Sequence, residues 1–96
     1  MQFGEKIREL RESQGLLQRQ LAASLEIDTP MFSKIERGER KAKREQVERL
    51  AFLLHANKPD LLRLWLADQI INLIKNEPQA CEALEAALKE IKKYEH

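Results

Sequence analysis

The chain has 96 residues, with 17 Lys and Arg against 16 Asp and Glu for a net charge of +1, and 43 % of its residues are hydrophobic. This length suits one domain, and a charged fraction of 34 % with only 3 Gly and 3 Pro points to a helix-rich globular protein. No apolar run approaches the ~18 residues of a membrane span, the charged first turns exclude a secretory signal, and the single cysteine, Cys81, excludes an internal disulfide and a Cys-based zinc site.

The first helix is marked by Phe3, Ile7 and Leu10, spaced by four and three residues. Gly15 supplies its left-handed stop. A second helix spans about 17–25 and buries Leu21, Ala22 and Leu25. Asp28 is the expected cap of a short third helix at about 29–37, with Pro30 in its first turn, Phe32 and Ile35 inward, and Gly38 as its end. A fourth helix begins near Lys43 or Arg44 and buries Val47, Leu50, Ala51 and Leu54. His55, near its end, is placed to complement the helix dipole. Asn57-Lys58-Pro59 breaks the pattern. A fifth helix, about 59–75, is apolar on more than one face. A last helix, about 79–94, carries Cys81, Leu84, Leu88 and Ile91 at three-four-three spacing, with Cys81 expected to pack as a small apolar residue. His96 is terminal and expected to be unordered. No strand pattern or repeat is visible, and two remote histidines and one cysteine cannot build a metal site.

The neutral total hides an asymmetry. Residues 1–65 carry 13 Lys and Arg against 10 Asp and Glu, whereas residues 66–96 carry 4 against 6. In 34–44, Lys34, Arg37, Arg40, Lys41, Lys43 and Arg44 are opposed only by Glu36 and Glu39. Such an excess suits a polyanion, although a solvated loop shows the same pattern. Between Gly15 and Gly38, two short helices flank a connection of about three or four residues, with small Ala22 where they approach, an arrangement that leaves the second helix projecting.

On Ile7-Arg8-Glu9-Leu10-Arg11, Leu21-Ala22, Ser33-Lys34-Ile35-Glu36-Arg37-Gly38-Glu39-Arg40 and Leu50-Ala51, the chain resembles the Xre-type helix-turn-helix family of phage repressor-like regulators over about residues 3–63. The stretch from Lys34 to Glu45 is also similar to controller proteins of restriction-modification systems. The resemblance implies an all-α fold: a repressor-like five-helix DNA-binding domain at 1–63 and a C-terminal helical extension at 64–96. It implies double-stranded DNA as partner, base contacts from Thr29, Pro30, Ser33 and Lys34, and phosphate contacts from Gln18, Arg40, Lys41, Lys43 and Arg44. Arg11 and Glu36 match a pair that the family joins as a salt bridge. Three departures stand out. Pro30 replaces a hydrogen-bonding residue, Glu26 stands where relatives have a turn glycine, and Leu17 replaces a small polar cap.

The extension suits dimerisation, because a helix apolar all round must be covered on several sides. Trp65, Leu66, Ile70, Leu73 and Ile74 are the candidate interface, with the last helix folding over the fifth of its own chain or of a partner chain. The function expected is a cytoplasmic, sequence-specific transcriptional regulator, homodimeric on an inverted repeat, without cofactor or membrane. No glycine-rich phosphate loop, nucleophile elbow or carboxylate cluster suggests an enzyme. The alternative is a protein-interaction module, such as a DNA-binding antitoxin or a methylase accessory protein, that binds a different protein through its apolar C-terminal helices.

Overall fold

The structure is a computed structural model that describes residues 2–95; His96 lies outside them. Six α-helices and no strand occur among the described residues: α1 (Gln2–Ser13), α2 (Gln18–Ser24), α3 (Thr29–Glu36), α4 (Arg44–Leu53), α5 (Lys58–Ile74) and α6 (Ala80–Lys92).

One core joins the first five helices. Phe3 and Ile7 of α1, Leu21 and Ala22 of α2, Phe32 and Ile35 of α3, Val47, Leu50 and Ala51 of α4, and Leu61 of α5 are all buried, with Ala42 and Leu54. Leu10 and Leu25 pack at its edge. Helix α2 packs on α3, α4 on α5, and α1 on both α3 and α5.

Local chemistry sets the helix ends. The Asp28 carboxylate accepts the Met31 N–H at 2.8 Å, and the Asn57 side-chain amide oxygen Oδ1 accepts the Asp60 N–H at 2.9 Å. Each satisfies an amide that the helix leaves without a partner. Leu17 has no side-chain acceptor to offer. Gln20 makes half a capping box instead, its Oε1 accepting the Leu17 N–H at 2.7 Å. Gly15 and Gly38 take positive φ, 68° and 76°. So do Glu26 at 60° and His55 at 54°, and a side chain in that region costs about 1 kcal/mol. His55 thus forms the left-handed reversal after α4.

Two sequence expectations change in the C-terminal third. Helix α6 buries no residue, so Cys81 is exposed rather than packed. Its apolar face is not folded onto the α5 of its own chain. The radius of gyration, 15.1 Å, exceeds the ~12–13 Å of a compact chain this long, as a projecting helix requires. Helix α5 runs without interruption through residues 63 and 64, and it buries only Leu61 and Asp68.

Candidate nucleic-acid interface

Helix α2 packs on α3; Ala22 of α2 is buried, and its carbonyl accepts the Ile27 N–H at 3.0 Å. The Glu26 reversal lies between the two helices. Helix α3 turns Phe32, Ile35 and Glu36 inward. Its opposite side leaves Thr29, Pro30 and Lys34 exposed and Ser33 half-buried. Arg40, Lys41, Lys43 and Arg44 follow directly, all exposed. Among the described residues, Lys34, Arg40, Lys41, Lys43 and Arg44 enter no ion pair. Their charge is therefore available to an outside anion.

A buried polar cluster fixes the inner end of α3. Arg11 Nε donates to Glu36 Oε2 at 2.7 Å and Nη2 to Oε1 at 3.2 Å, while Nη1 donates to the Leu16 carbonyl at 2.9 Å. The Glu36 side chain is only 3 % exposed and that of Arg11 11 %. The hydrogen bond to Glu36 raises the Arg11 pKa further above its already high ordinary value, against partial burial. Gln18 Nε2 donates to Glu36 Oε1 at 2.8 Å, which commits one of its two amide protons inward and leaves one for an outside acceptor. Arg37 is not free either. It donates to Ser33 Oγ and, at 2.6 Å, to Glu39. Its bond, and secondly its charge, hold the Glu39 carboxyl below the usual carboxylate range.

The basic loop rests on α5. Trp65 Nε1 donates to the Ala42 carbonyl at 2.8 Å, and the Arg44 guanidinium lies 5.5 Å from the centre of the Trp65 ring. Trp65, expected on the dimer face, is thus half-buried against its own chain, because its indole N–H finds an acceptor there. Leu66, Ile70 and Leu73 remain 46 %, 47 % and 78 % exposed, and Ile74 is half-buried. With Leu84, Leu88 and Ile91 of α6, also exposed, they leave considerable apolar surface in contact with water.

Sequence reading missed two positions that join the helices behind the α3 face. Asp68 accepts the Gln2 and Phe3 amides; its one signal was a carboxylate between the apolar residues Trp65-Leu66-Ala67 and Ile70-Ile71. Gly4 lets α1 approach the end of α3, and no local pattern marks it. No cluster of metal-ligating side chains occurs among the described residues, and no helix is long and apolar enough to cross a membrane.

A short helix held at its back by buried polar contacts, with an outward face running into a basic loop, defines a helix-turn-helix protein. Residues 2–65 match the family described as Helix-turn-helix domain, and the chain belongs to that family. The membership points to a DNA-binding, regulatory role. No curated protein and no solved structure matches the chain.

Proposed function

We propose that the chain is a sequence-specific transcriptional regulator that binds duplex DNA as a homodimer, with α3 in the major groove. The observation that carries this reading is the continuity of the exposed α3 face with the unpaired cations Lys34, Arg40, Lys41, Lys43 and Arg44. Lys34 is the candidate reader of guanine O6 and N7, and the Thr29 methyl and Pro30 ring are suited to thymine methyls. Ser33 keeps its hydroxyl proton for a base or phosphate. The loop cations and Gln18 serve register and affinity rather than sequence. Residues 1–63 form the DNA-binding unit. Residues 64–96 bring two copies together through Leu66, Ile70, Leu73 and Ile74, the dimer supplying two-fold symmetry. The role is binding, not catalysis.

A selection from random duplexes tests this. Recovery of an inverted repeat with half-sites about 10 base pairs apart, or a multiple of that spacing, supports it. Recovery of no consensus, with binding that depends only on salt, defeats it. A second reading is favoured by the exposed apolar face of α6. In that reading the C-terminal helices hold a different protein, as in an antitoxin or a methylase accessory protein. It predicts a defined heteromeric complex that is lost on Ile70→Glu.

A further inference from the structure

The loop that carries Arg40, Lys41 and Lys43 has little of its own to hold it. Among the described residues, Arg40, Lys41 and Ala42 make no backbone–backbone hydrogen bond. The loop borders a groove of about 440 Å³, shared with Phe3, Gly4, Asp68 and Leu73. It is tied down at two points. The Ala42 side chain is buried, and the Ala42 carbonyl accepts the indole N–H of Trp65 at 2.8 Å. The same ring carries the Arg44 guanidinium over its face, 5.5 Å from the centre, an arrangement that orients a cation without neutralising it. One side chain of α5 therefore contacts the basic stretch at two points, the carbonyl of residue 42 and the cation of residue 44.

From this geometry we infer that Trp65 is a positioning residue for phosphate binding. It fixes the loop so that Arg40, Lys41, Lys43 and Arg44 meet the DNA backbone together, and it links the helix proposed for dimerisation to the loop proposed for phosphate contact. The inference rests on the DNA-binding reading above. A loop that must be ordered during binding loses affinity to that ordering, whereas a clasped loop does not. Trp65 itself touches no DNA in this arrangement. It acts through the Ala42 carbonyl and the Arg44 guanidinium.

The test uses the full chain and a mixed-sequence duplex, so that only the phosphate contribution is measured. Trp65→Phe keeps an aromatic ring and removes the N–H donor. With the variant fully folded by circular dichroism, the affinity is expected to fall roughly 5- to 10-fold, and the slope of log K against log salt to flatten by about one to two units, the loss of one or two phosphate contacts. A merely structural role lowers the unfolding midpoint and leaves that slope unchanged; this outcome overturns the inference. Lys41→Ala calibrates a single contact at a slope change of about one. Trp65→Phe in the Lys41→Ala, Lys43→Ala background is expected to cost less than in the parent chain, and full additivity also counts against the inference.

If Trp65→Phe does not fold, the parent chain supplies the readout. Trp65 is its one tryptophan, and its emission is expected to change along the same titration curve as duplex binding, as a phosphate meets the Arg44 guanidinium that stays over the ring. Constant emission at saturating duplex overturns the inference while leaving the DNA-binding reading standing. Failure of the parent chain to bind duplex at low salt overturns both.

Discussion

The carboxylate of Asp68 accepts the backbone N–H of Phe3 at 2.9 Å and that of Gln2 at 3.1 Å, joining the middle of α5 to the first turn of α1. These amides have no partner within their own helix. A carboxylate at that end also interacts favourably with the helix dipole. Asp68 is buried on α5 because it meets the start of α1. Asp68→Ala leaves both amides unpaired in a partly closed site. The expected loss is about 2 kcal/mol, the range for a hydrogen bond to a charged group, which lowers the thermal midpoint by on the order of 10 °C in a domain of this size. A shift under 2 °C in a thermal melt would refute the assignment.

Arg11 and Glu36 are a buried pair with hydrogen bonds on both prongs. Removing one partner leaves the other buried without its counter-charge, so Arg11→Ala is expected to cost about 3 kcal/mol. Arg11→Lys retains the charge but cannot reproduce the two-pronged contact, nor the bond to the Leu16 carbonyl at the same time. The double change Arg11→Met, Glu36→Leu removes both charges and is expected to regain most of the loss. Urea unfolding of the three variants decides the matter, and a double variant less stable than Arg11→Ala counts against the desolvation argument.

What the sequence made legible was what local chemistry controls. Apolar spacing located the helices and nearly all of the core, and Asp28 showed itself as a cap by its place before Pro30. The α3 face with its basic loop was readable because charge density is a property of neighbouring residues. The rest depends on contacts between distant segments. Asp68 lies 65 residues from Phe3, Trp65 lies 23 from Ala42, and neither spacing has a periodicity that would reveal it. Trp65 illustrates the difficulty: a large aromatic on a many-sided apolar helix suits a subunit interface and an intramolecular clasp equally well. Cys81 was misread for a related reason. An amphipathic pattern shows that a face is apolar, not whether its own chain covers it.

Gly4 separates packing from propensity. A Cβ there would lie 2.3 Å from the Glu36 carbonyl oxygen and 2.7 Å from that of Ile35, both backbone atoms that cannot rotate away. Helix propensity alone favours alanine over glycine by about 1 kcal/mol. Overpacking a close contact costs about 1–3 kcal/mol, and two clashes with backbone place this site at the upper end. Gly4→Ala is therefore expected to destabilise the fold by about 1–2 kcal/mol net. A stabilised variant in chemical denaturation would show that α1 and α3 are further apart than described.

The exposed apolar side chains of α5 distinguish folding from assembly. Leu73 is 78 % exposed in the single chain, so Leu73→Glu removes no buried contact and should change monomer stability by less than about 0.5 kcal/mol. If this face joins two copies, the same change places a carboxylate in an apolar interface. Sedimentation is then expected to show monomers at concentrations where the parent chain is dimeric, with weaker binding to a two-half-site duplex and unchanged binding to one half-site. An unchanged sedimentation coefficient would remove Leu73 from the interface.

Glu39 is the one carboxylate within the basic loop region that is tied to an arginine of the same stretch, Arg37. Both side chains are more than half exposed, so the pair contributes little to the fold and much to the local potential. Glu39→Gln removes a negative charge and releases Arg37 from its partner. The variant is expected to melt with the parent chain, to bind mixed-sequence duplex several-fold more tightly, and to show a salt slope steeper by about one unit. The pH dependence follows from the lowered pKa of Glu39, which its bond to Arg37 produces first and the charge of Arg37 second. A carboxyl lowered in this way keeps its pair throughout the range above its ordinary value and loses it only as pH falls through the depressed value. The parent chain and Glu39→Gln are therefore expected to differ in duplex affinity at neutral pH and to converge only on acidification to below the ordinary carboxylate range. Equal affinities at neutral pH would mean that Arg37 and Glu39 lie outside the field that the DNA backbone experiences.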